Sequence, residues 1–192
     1  MEQIWLDALR TALIFGHLLA FGIAVTIVLS EDWQFIVYQR VNMKRLQKCH
    51  SVLIIALLGL ATTGTAIIGI DTGFEWDAIA ASDKLLAKLN VVFVLIINGF
   101  LLNTIAIPSL KNPPPNTKIV AMLLCLFGAV STVSWLYAGF LGIAKDLTVT
   151  LGYRGFITLY LIGLGSAVGL ALLIFRQRVE QLIVREKSLH YT

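Results

Sequence analysis

Five uncharged apolar runs make up most of this chain, and each is long enough to cross a lipid bilayer. At a rise of about 1.5 Å per residue, roughly 20 helical residues cover the ~30 Å hydrocarbon layer. The runs are 11–29, 51–70, 89–110, 119–144 and 155–175, and none contains Asp, Glu, Lys or Arg. The sequence therefore predicts an all-α fold, a polytopic membrane protein built as a bundle of five transmembrane helices.

Composition supports the same fold class. Hydrophobic residues form 58% of the chain and charged residues 14%, where a water-soluble domain carries about a quarter charged residues. The segments between the runs are too short for a separate globular domain. We therefore interpret residues 1–192 as one integral membrane domain whose environment is the lipid bilayer, and the net charge of +4 as an orientation signal rather than a nucleic-acid one.

Basic residues are distributed unevenly between the two sides of the predicted bundle. Ten of the 15 Lys and Arg residues fall on the side of the first and third links and the C-terminal tail. Because basic residues in short loops mark the cytoplasmic side, the N-terminus is expected outside and the C-terminus in the cytoplasm. Glu2 and Asp7 precede the first run where a signal peptide would be basic, so this run is expected to remain as a helix.

The links carry their own signals. Residues 31–50 combine aromatic side chains with a basic cluster, which predicts an inner loop containing a short interfacial helix. The segment 111–116 contains three consecutive prolines, which lack backbone donors and favour a stiff, extended turn.

Small residues spaced four apart predict close helix packing in the fourth and fifth runs. The fourth run carries Ser134, Ala138 and Gly142, and the fifth carries Gly165 and Gly169. Packing within one compact bundle explains both sets. A homo-oligomer formed through the Gly165/Gly169 face, or docking on a larger membrane complex, stays open.

Polar residues inside the runs are the candidate functional residues, since their burial in lipid is costly unless they find partners or a cavity. Seven-residue spacing places residues on one helical stripe. One such stripe holds Arg10, His17, Ala24 and Glu31, and another holds Lys84, Val91 and Asn98, with Lys88 one turn after Lys84. If the first and third helices face each other, His17 meets Lys88 and Asn98. These residues then act either as interhelical hydrogen-bond partners or as a cofactor pocket in the outer half of the membrane.

A haem held by two histidines of one chain is disfavoured by depth. His17 and His50 lie near opposite ends of their runs, roughly 20 Å apart in depth by helical rise. On the inner side, Cys49 and His50 adjoin the second run, and Met122 and Cys125 lie one turn apart in the fourth. Such soft donors suit Cu(I), yet buried Cys and Met usually just pack, so no metal site is assigned.

The segment Gly16-His17-Leu-Leu-Ala-Phe-Gly22, a basic inner loop, and Leu86-Ala87-Lys88-Leu89 opening a helix that ends near Pro108 resemble small bacterial membrane proteins. The layout is similar to that of HemJ-like protoporphyrinogen oxidases and the copper-resistance D family. The resemblance implies haem or porphyrin chemistry at His17 and Lys88. It also implies a location in the bacterial cytoplasmic (inner) membrane.

Three functions are compatible with these features. The first is a membrane redox protein associated with a haem, porphyrin or quinone-like cofactor, with His17, Lys88 and Asn98 as its cofactor-binding residues. The second is a non-catalytic accessory or structural subunit of a larger membrane complex. The third, a small-solute transporter, is the least supported because the apolar runs contain no acidic residue. The sequence carries no soluble-enzyme motif and assigns no catalytic residue.

Overall fold

The computed structural model describes residues 1–38, 43–111 and 116–189, and the regular structure in these ranges is helical. The helices are α1 (Glu2–Trp33), α2 (Met43–Thr72), α3 (Trp76–Ala80), α4 (Asp83–Leu101), α5 (Ile107–Lys111), α6 (Thr117–Ile143), α7 (Thr148–Leu170) and α8 (Arg176–Leu189). Single π-helical turns extend α1, join α4 to α5 and join α7 to α8; they are Gln34–Tyr38, Leu102–Ala106 and Ala171–Phe175.

Five helical stretches are long and apolar enough to cross a membrane. They are Gln3–Val37, Lys44–Thr72, Asp83–Leu110, Thr117–Ile143 and Thr148–Arg185. Each coincides with one of the predicted runs and, in most cases, continues beyond it into charged residues. The prediction of an all-α chain with five membrane-length helices is confirmed.

The first link differs from its prediction. Residues 31–38 continue α1 and residues 43–50 begin α2, so the described residues hold no separate interfacial helix between them. The reason is packing, because Phe35 and Leu46 join a core cluster around Val120 and Ile183 instead of lying on a lipid surface. The prolines of the predicted stiff turn lie outside the described residues.

Helix α6 forms the centre of the bundle, and α1, α4, α7 and α8 all pack against it. Ser134 and Ala138 are buried on this helix, as their spacing predicted. Their small size lets α7 approach closely enough for a 2.7 Å hydrogen bond between the hydroxyls of Ser134 and Tyr160. Gly165 and Gly169 of α7 differ, because a Cβ built on either of them meets no atom of another described helix within 4 Å.

The predicted stripe on α1 faces α2 along its whole length. Hydrogen bonds along it join Arg10 to Asp71, His17 to Thr63 and Glu31 to Arg45, and Ala24 lies in one core cluster with Ala56 of α2. Arg10 donates two hydrogen bonds to the Asp71 carboxylate, at 2.6 and 3.0 Å. An ion pair thus closes each end of the α1–α2 contact, with small side chains between them.

Candidate ligand cavity

A cavity of about 300 Å³ lies at the end of the bundle where the first span ends and where α2 and α8 begin. We call this the basic end, because Lys44, Lys48, Arg176 and Arg178 lie there. All five membrane-length stretches contribute to the wall, which includes Val28, Phe35, Leu53, Leu102, Leu110, Leu124, Gly128, Ala167, Leu170 and Phe175. The volume falls at the lower limit of small-molecule pockets, and a mostly apolar wall with a few polar groups is typical of them.

Glu31 is the first polar group of the wall, and its carboxylate accepts hydrogen bonds from two residues of α2. Arg45 Nε donates to Glu31 Oε1 at 2.8 Å, and the Cys49 thiol donates to the same oxygen at 3.3 Å. The carboxylate is therefore paired with a cation and tied to the second helix. Its role in the wall is to fix the α1–α2 junction beside the cavity.

Asp32 is the second polar group of the wall, and its surroundings differ. The Thr132 hydroxyl of α6 donates a hydrogen bond to Asp32 Oδ2. Among the described residues, no Lys, Arg or His forms an ion pair with Asp32. Both Asp32 and Thr132 line the cavity and are partly buried, so a carboxyl group that pairs with no described cation borders a mostly apolar space.

The predicted cluster of soft donors is brought together only in part. Cys49, His50 and Cys125 all line the cavity, whereas Met122 is 42% exposed and is not part of the wall. Within the described ranges, no three His, Cys, Asp or Glu side chains converge in a way that could hold a metal ion. Cys49 and Cys125 are free thiols.

His17 lies towards the opposite end of the bundle and bonds to the second span. Its Nδ1 is 2.9 Å from Thr63 Oγ1, and its Cε1 lies 3.4 Å from a Cβ built on Gly64. The Thr63 hydroxyl donates its single hydrogen to the Gly59 carbonyl at 2.6 Å, so it accepts from His17. This arrangement favours the tautomer that carries the proton on Nδ1.

Lys88 and Asn98, the two predicted partners of His17 on the third span, differ in their surroundings. Lys88 is partly buried and makes no ion pair with a described residue. Asn98 is buried and donates to the Phe127 carbonyl of α6 at 3.0 Å. The Asn98 amide is therefore committed to the α4–α6 contact.

We expect the Thr63→Val variant to lose about 0.6 kcal/mol of bundle stability, the usual worth of an interhelical hydrogen bond in a membrane protein. The measurement is reversible unfolding in mixed detergent micelles. Combined with His17→Asn in a double-mutant cycle, it should give a coupling energy of the same size. Additive effects of the two substitutions would show that the His17–Thr63 bond does not contribute to stability.

The sequence did not single out Asp32 or Thr132. A signal was nevertheless present, because Glu31 and Asp32 are followed by the apolar side chains of Trp33 and Phe35, which permit the helix to continue past the charges. Ending the first run at residue 29 placed both carboxyl groups in the inner loop. Thr132 gave no signal, since a lone hydroxyl within an apolar run is common.

Comparison of the chain with known protein families, with functionally described proteins and with solved structures finds no match.

Proposed function

We propose that this protein is an integral membrane redox protein that holds a quinone-like molecule in the cavity at its basic end. The observation that carries the proposal is the cavity itself, a space of about 300 Å³ with an apolar wall and a carboxyl group at its edge. A lipid-soluble molecule with one polar ring and an apolar chain matches that combination.

Size favours a single ring over a macrocycle. The cavity volume is at the lower limit for small-molecule pockets, which accommodates one substituted aromatic ring more readily than the four linked pyrroles of a porphyrin. The wall also contains side chains that can donate or accept hydrogen bonds, Ser131 and His50 among them, for the oxygens of a quinone-like ring.

The haem alternative would rest on one described residue, His17. Because Nδ1 of His17 is bonded to Thr63, Nε2 is the nitrogen that would hold an iron, in the arrangement that oriented histidine ligands commonly adopt. His50, Cys49 and Cys125 line the cavity at the other end of the bundle, so they would not share this iron. A haem held there would supply electron transfer.

In the proposed orientation the N-terminus lies outside, and the basic end lies on the cytoplasmic side of a bacterial inner membrane. We expect a reporter fused after Thr192 to behave as cytoplasmic and one inserted at Gly73 to behave as external, because ten of the 15 basic residues lie on the C-terminal side. Paired alkaline phosphatase and green fluorescent protein fusions measure this. The opposite activity pattern would reverse the proposed orientation.

The function is tested by titrating the detergent-purified protein with a short-chain, fully substituted benzoquinone and following tryptophan fluorescence. Saturable quenching at one quinone per chain is expected, together with quinone in an organic extract of the unwashed protein. A Soret band that His17→Ala removes would instead favour the haem alternative. A colourless protein whose fluorescence is not quenched and whose organic extract contains no quinone would contradict the redox proposal and favour an accessory subunit.

A further inference from the structure

Of the two carboxyl groups in the cavity wall, Asp32 has the larger unused acceptor capacity. A carboxylate offers about four lone-pair positions, and the described residues fill one of those of Asp32, through Thr132. Glu31, the adjacent residue, receives both Arg45 and Cys49 on one oxygen. Asp32 therefore keeps one oxygen without a described donor and pairs with no described cation, whereas Glu31 is already paired with Arg45.

The apolar surroundings of Asp32 make an unpaired acceptor there costly in free energy. Most of the cavity wall is aliphatic or aromatic, including Val28, Phe35 and Leu124. An acceptor left without a donor in such a place is destabilising, and a hydrogen bond to a charged group is stronger than one between neutral groups. A ligand that supplies a hydroxyl donor gains this interaction, whereas a ligand with only carbonyl acceptors is repelled.

We propose that Asp32 is the specificity-determining residue of the cavity and makes it select the hydrogen-bond-donating form of the ligand, a quinol, over the corresponding quinone. This inference rests on the proposed function, because it takes the cavity as a binding site for a quinone-like ring. The phenolic hydroxyl of the quinol donates to Asp32, and the apolar wall contacts the ring and the start of its chain.

A lipophilic cation is the other class of ligand that a carboxylate attracts. A quinol is preferred because it is neutral and loses less hydration when it enters a largely apolar wall from the bilayer. The two classes differ in one property that can be tested, since a tetraphenylphosphonium ion carries charge and no hydrogen-bond donor.

The test compares the dissociation constants of three forms of one short-chain ring compound, measured anaerobically: the quinol, the quinone and the dimethyl ether of the quinol. The ether keeps the ring at the reduced oxidation level and lacks both donors. We expect the wild-type protein to bind the quinol roughly tenfold more tightly than either of the other two. In Asp32→Asn the preference for the quinol over the quinone should fall below about threefold, because an amide donates as well as accepts.

One variant controls the comparison. Asp146→Asn makes the same substitution at an exposed site outside the cavity wall and should keep the wild-type preference. If Asp32→Asn does not fold, the wild-type comparison of the quinol with its dimethyl ether provides the test.

Equal affinity of the wild-type protein for the quinol and its dimethyl ether would overturn the role of Asp32 while leaving the proposed function intact. Tighter binding of tetraphenylphosphonium than of the quinol would likewise overturn it. Absence of binding by all ring compounds would contradict the proposed function itself.

Discussion

Replacing Phe156 by alanine is expected to destabilise the bundle by about 3 kcal/mol, a large loss for one side chain. Phe156 is fully buried among Ala87, Val91, Leu141 and Tyr160, where α4, α6 and α7 meet. This value lies at the low end of the range for Phe→Ala changes in protein cores. In the unfolded state the Phe156 ring would contact apolar lipid or detergent rather than water, so the variant loses packing interactions but little hydrophobic stabilisation. Reversible unfolding in mixed micelles measures this loss.

The control is Phe93→Ala, since Phe93 is 60% exposed on α4. This variant should stay within about 0.5 kcal/mol of the wild type, as surface substitutions usually do. The Tyr137 hydroxyl bonds to the Phe156 backbone carbonyl at 2.5 Å and is untouched by either change. Equal losses from the two variants would contradict the position of Phe156 in the core.

Replacing Gly128 by leucine is expected to weaken quinone binding at least about tenfold while the bundle still folds. Gly128 lies on α6 in the cavity wall, and a Cβ built on it meets no described atom within 4 Å. A leucine side chain therefore has room to occupy the space assigned to the ligand. Leucine also has a higher helix propensity than glycine by several tenths of a kcal/mol, so stability should not fall.

Gly142→Leu provides the matched control on the same helix. A Cβ on Gly142 is also free of neighbours within 4 Å, but Gly142 is exposed and takes no part in the cavity wall. This variant should bind quinone with wild-type affinity. Wild-type binding by Gly128→Leu would place the ligand somewhere other than this cavity.

The membrane-length helices could be predicted because the length of an uncharged apolar run is fixed by bilayer thickness. Their ends could not be located in the same way, because α1 and α7 continue as helices beyond the apolar runs. At Glu31 and Asp32 the charges are held by Arg45 and Thr132, which are distant in sequence. Such partners give no local signal.

The stripe that contains His17 shows what periodicity does and does not predict. Seven-residue spacing identified the residues that share one face of α1, and that face is continuous in the structure. It did not identify the opposing helix: the sequence interpretation set His17 against the third span, whereas its hydrogen bond is to Thr63 of the second. A pattern within one helix contains no information about its neighbour.

The cavity could not be predicted for a related reason. Its wall combines residues from all five spans, and most are ordinary apolar side chains such as Leu53, Leu110 and Leu170. Only the relative positions of the helices create the space. Cys49 and Cys125 were noted in the sequence for their chemistry, and the structure places both on the wall of this cavity.

Protection of these two thiols by quinone tests the central claim most directly. Cys49 and Cys125 are the two cysteines of the chain, so a lipophilic maleimide followed by mass spectrometry reports on the cavity alone. We predict that a saturating benzoquinone, with all ring carbons substituted to suppress thiol addition, slows modification of both severalfold in the wild type and has no effect in Gly128→Leu. Unchanged modification rates in the wild type at every quinone concentration would contradict the assignment of this cavity as the ligand site.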